Sequence, residues 1–251
     1  MTSSLPSRFE GRMAVVTGAA SGIGRATAER LRDEGAAVLA VDRNGELLAT
    51  LDGCAQLVCD HSTLDGVQTV IAAAEQPDLL VNAAGVLLLR SLEEVDEAAF
   101  DTQIAINLKA LFFLSQALCP RIAPGGAVVN LSSSSAQTGS TLEAAVYAAT
   151  KAGVLSLTRA FAHANAARNV RVNAIVPGIV DTPMQDAVLD QVALIRGVTR
   201  EQLAVDRLKG VPLARSSSAA ECAALIAFLL SDDAGYLTGQ TIDWSGGLVM
   251  R

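Results

Sequence analysis

The stretch Met13-Ala14-Val15-Val16-Thr17-Gly18-Ala19-Ala20-Ser21-Gly22-Ile23-Gly24 decides the fold. Its first half, Met13 to Thr17, is a short apolar run that stops at glycine. That is the pattern of a strand buried on both faces of a parallel sheet. Its second half reads G-x-x-x-G-x-G and leads into a helix-like segment, Gly22 to Glu34, closed by Gly35. Glycine lets the backbone come close to a pyrophosphate, and the first turn of the following helix aims its free amides at that charge. The spacing is not the commoner G-x-G-x-x-G. A glycine-rich turn by itself also serves plain packing. Its place between a first strand and a first helix favours the nucleotide, with Gly18, Ser21, Gly22, Ile23 and Gly24 as the cradle.

Working outward, strand and helix signals alternate to the end of the chain. Further strands are expected at Ala37–Val41, Gln56–Cys59, Asp78–Asn82, Ala127–Leu131, Val170–Ile175 and Thr241–Trp244. Helices are expected at Leu64–Glu75, Ala98–Leu118, Ala144–Ala167 and Ala219–Leu230. This rhythm predicts an α/β fold, a doubly wound parallel sheet of about seven strands with helices on both faces, as a single domain over 1–251. Ligands then belong at the carboxyl ends of the strands. Residues at about 184–214 break the rhythm, with helix signals and no strand, and are expected to cover the substrate.

Composition narrows the function classes. A chain of 251 residues, 51% hydrophobic and 18% charged, carries ample core for one large domain. A net charge of −7 without a basic stripe argues against nucleic acid. No apolar run approaches the ~20 residues that cross a bilayer, and Met1 to Glu10 lacks the order of a signal peptide. The expectation is therefore a cytoplasmic protein with no membrane partner. Cys54, Cys59, Cys119 and Cys222 show no metal-ligand spacing, and His61 and His163 are far apart, so no metal site is expected.

Two features carry chemistry. Tyr147 and Lys151, spaced Tyr-Ala-Ala-Thr-Lys, share one helix face. A cation beside a phenol favours phenolate and lowers a pKa that is ordinarily ~10, which suits general acid–base work near neutrality. Such a pair is also common as plain surface neighbours; the serine run Ser132 to Ser135 upstream and the glycine loop tip the balance. The second feature is Asp42, at the end of the second strand. Its carboxylate suits an adenine-ribose diol and repels a 2′-phosphate, so NAD is favoured over NADP. Arg43 follows at once and keeps NADP open as a phosphate ligand.

Thr17 to Gly24, Asn82-Ala83-Ala84-Gly85, Asn107, the serine run, Tyr147 with Lys151, and Pro177-Gly178 together resemble the short-chain dehydrogenase/reductase family, NAD(P)-binding oxidoreductases with a Rossmann fold. The resemblance covers nearly the whole chain, with the motifs in the family's order. It implies that Tyr147 exchanges the proton of the substrate oxygen. Lys151 would tune Tyr147 and hold the nicotinamide ribose, Asn107 would hold a water leading from Lys151, and a serine hydroxyl would bind the substrate oxygen. The usual spacing of thirteen residues ahead of Tyr147 selects Ser134; aligning Asn130-Leu131-Ser132-Ser133 and Gly139 with the family pattern selects Ser133, which is favoured. Asp60 would meet the adenine with the His61 backbone beside it, and His61 itself reads as a cofactor neighbour or an exposed loop residue. Asn82 to Gly85 would line the adenosine ribose. Pro177, Gly178, Val180 and Thr182 would close on the nicotinamide.

For substrate contacts, Met184, Leu189, Val192, Leu194 and Ile195 offer apolar surface, with Val86, Leu87 and Leu88 nearby and Gln137, Glu143 and Gln185 polar. A carboxylate would need Arg90, Arg196, Arg200 or Arg207 to reach in, and the sequence does not choose among them. The resemblance also implies a homotetramer built on the two long helices and an apolar Gly246–Arg251 tail. The leading expectation is an NAD(H)-dependent oxidoreductase on a small-molecule secondary alcohol or ketone. An NADPH-dependent 3-oxoacyl reductase and a non-catalytic nucleotide-sensing regulator are the alternatives.

Overall fold

The computed structural model describes residues 7–138 and 142–250. Gly139, an anchor of the serine alignment, and Arg251 of the tail lie outside them. Seven strands form one sheet: β1 (Met13–Thr17), β2 (Ala37–Asp42), β3 (Ala55–Val58), β4 (Leu79–Asn82), β5 (Ala127–Leu131), β6 (Arg171–Pro177) and β7 (Thr241–Trp244). Their order is β3-β2-β1-β4-β5-β6-β7, and every pairing is parallel. All residues of β4, β5 and β6 are buried, as strands covered on both faces must be. The strand order reverses between β1 and β4, and this crevice is where an open α/β sheet binds its ligand.

The longer helices are α1 (Gly22–Asp33), α2 (Leu64–Ala73), α3 (Glu97–Ile104), α4 (Ala110–Leu118), α5 (Ala145–Asn165), α6 (Pro183–Arg196), α7 (Arg200–Leu208) and α8 (Ala219–Leu230). Core residues of α1 and α8 cover one sheet face with Val16, Val81 and Val129. Those of α2, α4 and α5 cover the other with Val15, Leu80 and Val128. A third, smaller cluster holds Leu89, Ala144, Tyr147, Val192, Ala193 and Leu203. It joins α5, α6 and α7 above the carboxyl end of the sheet.

Two sequence expectations change. The long helix expected at Ala98–Leu118 is interrupted by a π turn at Ala105–Lys109, where Ala110 N–H reaches back to Ala105 O. Asn107 lies in that turn and its side chain ties it to Val86 and Thr150; a π turn in such a setting is often functional. The helical run Glu97–Arg121 is long and apolar enough to cross a bilayer by length and composition, contrary to the sequence reading. Half of that window is buried inside the domain, where Leu111, Leu114 and Leu118 are core residues. The covering segment is two capped helices: Thr182 Oγ1 accepts from Gln185 N at the start of α6, and Thr199 with Gln202 forms a capping box on α7.

Candidate active site

The glycine loop is shaped by contacts that allow no side chain. Gly18 has φ +69°, and a Cβ there would lie 2.8 Å from the Ala84 backbone. A Cβ on Gly24 would lie 2.1 Å from Gly18 O. Thr17, which sequence reasoning did not single out, braces the loop. Its Oγ1 accepts from Ala83 N at 3.1 Å and Ala84 N at 3.2 Å, and so ties the end of β1 to the segment after β4. Asp42 accepts from Ala20 N at 3.1 Å through one oxygen and from Asn44 N at 2.9 Å through the other. It thus positions the loop while keeping lone pairs free for further donors.

A cavity of about 540 Å³ opens from this loop. Of the expected cofactor residues, Gly18, Ser21, Gly22, Ile23, Gly24, Ala83, Gly85, Pro177, Gly178, Val180 and Thr182 line it, together with Ser133, Tyr147 and Lys151. Asp42, Arg43, Asp60 and His61 form a separate group beyond that lining, at the carboxyl ends of β2 and β3. Asp60 is held ionised below the ordinary carboxylate range first by the Ser62 backbone N–H, with a smaller contribution from Arg43. His61 is buried rather than an exposed loop residue, and its Nδ1 finds no partner among the described residues. Burial lowers its pKa, although Asp42 and Asp60 pull the other way. Asn82 donates to Asn130 Oδ1 at 2.8 Å and Ser115 Oγ at 3.2 Å, so its side chain braces the sheet centre.

At the other wall the catalytic candidates converge. Tyr147 is only 8% exposed and Lys151 3%. Ser133 lies close enough to the Tyr147 phenol to lower its pKa, and its Oγ accepts from Ser135 N at 3.2 Å. Ser134 also lines the cavity, but its backbone N–H is taken by Pro177 O at 2.9 Å, at the end of β6. Of the two serines, Ser133 is the one whose hydroxyl acts on the tyrosine oxygen. Lys151 Nζ donates to Leu131 O at 2.8 Å and lies 5.7 Å from the Tyr147 ring centre. Ser132 Oγ donates to Lys151 O at 2.8 Å. Asn107 pairs with both the N–H and the carbonyl of Val86, at 2.8 and 2.9 Å, and donates to Thr150 Oγ1 at 3.2 Å. Gly85 stands between them: a Cβ there would lie 3.3 Å from Lys151 Nζ and 3.4 Å from Asn107 Oδ1.

The electrostatics correct one expectation. Burial pushes Tyr147 up to about 12, and Ser133 only partly offsets this. Lys151 is pushed down to about 8, also by burial. The ammonium points to a backbone carbonyl rather than to the phenol, so desolvation outweighs the charge effect anticipated from the i, i+4 spacing. At neutral pH the pair is then a protonated phenol beside a mostly protonated lysine.

The covering segment also sorts differently from expectation. Met184, Val192 and Gln185 line the cavity, while Leu194 and Ile195 face solvent at 84% and 54% exposure. Thr182 is the N-cap of α6 and packs on the glycine loop, its Cγ2 lying 3.3 Å from where a Cβ on Gly22 would sit. Of the four arginines, Arg196 and Arg207 line the cavity. Arg200 is bound to Asp186 and Asp190 on the exposed side of α6, and Arg90 Nη1 donates to Leu89 O at 2.8 Å.

Comparison with known proteins places this geometry. A family model described as enoyl-(acyl carrier protein) reductase matches residues 18–249. The 3-oxoacyl-[acyl-carrier-protein] reductase FabG of Thermotoga maritima is 36% identical, over 97% of this chain and 100% of that protein. A short-chain dehydrogenase/reductase described as glucose/ribitol dehydrogenase, from Brucella melitensis, superposes with a TM-score of 0.89 at 32% identity, covering 98% of this chain and 100% of the other. A putative NAD(P)-dependent gluconate 5-dehydrogenase from Beutenbergia cavernae, solved with bound NADP, gives 0.85 at 32% identity, over 97% and 99% of the two chains.

Proposed function

Because the chain belongs to the short-chain dehydrogenase/reductase family of oxidoreductases, we propose that it interconverts a secondary alcohol and a ketone with NAD(H). The observation that carries this reading is the convergence of Ser133, Tyr147 and Lys151 on one wall of a cavity whose other wall is the glycine loop. The loop suits a dinucleotide, since no Cβ fits at Gly18 or Gly24 where backbone must approach a phosphate. In oxidation the alcohol carbon loses a hydride and its oxygen loses a proton, one of each for every C=O formed. A bound nicotinamide supplies the hydride acceptor, or the donor in reverse.

The protein's own groups handle the proton. Ser133 holds the substrate oxygen beside the Tyr147 hydroxyl and stabilises the charge that develops there. Tyr147 gives its proton to that oxygen in ketone reduction and takes it back in alcohol oxidation. Lys151 holds the ribose and keeps positive charge near the phenol, and Asn107 fixes Gly85 and Val86 around the lysine head. Asp42 favours NAD through its charge at the ribose end, in a group that also holds Asp60 and His61.

The pH dependence follows from these shifts. With the phenol raised to about 12, its base form is a minority at neutrality and grows with pH. Oxidation of secondary alcohols, followed by NADH absorbance, should therefore speed up between about pH 6 and 8, where each unit multiplies the phenolate fraction about tenfold, and level off as Lys151 loses its charge above about 8. Reduction should show no such rise. A flat oxidation profile, or inactivity with every alcohol in a broad panel, would refute the reading.

A second reading, an NADPH-dependent 3-oxoacyl reductase, draws on the likeness to the Thermotoga maritima FabG. Comparing kcat/KM for NADH and NADPH separates the two, since a strong NADPH preference contradicts the role given to Asp42. We place the enzyme in the cytoplasm as a homotetramer. Exposed Ala149, Ala152, Ala160 and Ala164 on α5 leave a small-residue face for close helix packing. A monomeric mass by light scattering would refute that assembly.

A further inference from the structure

We propose that Arg207 is the specificity residue of this site and binds a carboxylate on the substrate, which is then a small hydroxy acid or oxo acid rather than a neutral alcohol. The proposal rests on the oxidoreductase reading above and deepens it.

Arg207 lies on α7 one helical turn beyond Leu203, on the same face. Leu203 packs in the cluster that contains Tyr147, so this face looks into the substrate end of the cavity. Both residues line that cavity. The Nη1 of Arg207 is buried and has no hydrogen-bond partner among the described residues. A guanidinium is always charged and carries five donors. Leaving one of them buried and unbonded is costly unless a ligand completes it.

Among the described residues, no carboxylate answers this charge. Asp206, its neighbour in sequence, is exposed and bound to Lys209 at 2.6 Å. The charged group that does act on Arg207 is another cation, Arg196, and both burial and that repulsion lower its pKa. Arg196 has only a long contact to Glu143, at 3.5 Å. The two guanidiniums thus share a pocket wall, and the Glu143 carboxylate meets Arg196 rather than Arg207. Arg200, by contrast, is saturated by Asp186 and Asp190 at the surface. A small anion is the group that removes the repulsion and completes the orphaned donor, and carboxylate matches the planar fork of arginine.

Size points the same way. The cavity of about 540 Å³ runs from the glycine loop to α7, so it must hold part of the dinucleotide as well as the substrate. What remains suits a compact molecule. Leu87, Leu89, Val188 and Val192 also line it and cluster with Tyr147, which fits a short carbon chain with its carbonyl or hydroxyl near Tyr147 and its acid at Arg207.

The test uses matched pairs of ketones that differ only in charge: 2-oxobutanoate, 3-oxobutanoate and 4-oxopentanoate, each against its methyl ester. The N-acetylcysteamine thioester of 3-oxobutanoate represents an acyl-carrier substrate. With the full-length enzyme and whichever of NADH or NADPH it binds, at least one acid should exceed its ester in kcat/KM by tenfold or more. In Arg207→Met that ratio should collapse at least tenfold, mainly through KM, and Arg207→Lys should restore part of it. Thermal melting of each variant confirms folding. Esters or the thioester equal to or better than the acids in the wild type would overturn the proposal. So would an unchanged ratio in Arg207→Met.

If no ketone turns over, calorimetric titration of the same acids and esters into the nucleotide-loaded protein decides separately. Binding of an acid that is lost in Arg207→Met upholds the carboxylate site while the redox reading falls. Equal binding of acid and ester, or no binding of either, overturns the site.

Discussion

Tyr147→Phe is expected to reduce kcat roughly a thousand-fold, the scale on which a positioned acid–base group contributes, while nucleotide affinity stays close to that of the wild type. The exchange removes one oxygen from a side chain that is 8% exposed and keeps the ring that fills the cluster with Ala144, Val192 and Leu203. The Ser133 hydroxyl keeps its bond from Ser135 N, so the lost contact to the phenol costs about 1 kcal/mol at most. The loss should thus appear in turnover and not in the melting temperature. Single-turnover measurements in both directions check it, and substantial activity in the variant would remove Tyr147 from the proton step.

Gly24→Ala should act at the opposite wall and through binding. The added Cβ would stand 2.1 Å from Gly18 O and 2.7 Å from Gly18 C. Both are backbone atoms of the loop itself, so no flexible side chain can swing away. The loop must open, at a cost of about 1–3 kcal/mol for overpacking. If that strain is relieved only in the nucleotide-free loop, affinity falls by about tenfold to a hundredfold. Titration by NADH fluorescence measures it. An unchanged dissociation constant would show that the tight turn is there for packing alone. The two variants are complementary, because one loses turnover with binding intact and the other loses binding with the proton machinery intact.

The carboxylate proposal links the two ends of the site. Hydride transfer requires the reacting carbon to be held in place beside the nicotinamide, and a fixed charge at the far end of a short substrate supplies that orientation. It also gives a role to the arginine that α7 carries into the cavity wall beside Arg196.

Much of this was written locally in the chain. The apolar run Met13 to Thr17, the glycines that follow it and the alternation of strand and helix specify a parallel sheet, because strand burial and glycine backbone freedom act within a few residues. The spacing of Tyr147 and Lys151 likewise places them on one helix face through the period of the α-helix alone. The tertiary structure decided what depends on distant segments meeting. Ser133 acts on the phenol from the chain after β5, where Pro177 of β6 holds its neighbour Ser134. The phenol is raised rather than lowered because α6 and α7 bury it and Lys151 turns to Leu131 O. The Asn107 side chain in the π turn meets Val86, twenty-one positions away in the chain. Of four arginines with the same charge in the sequence, only burial and the placement of counter-ions distinguish Arg207, and neither is a property of the residues around it in the chain.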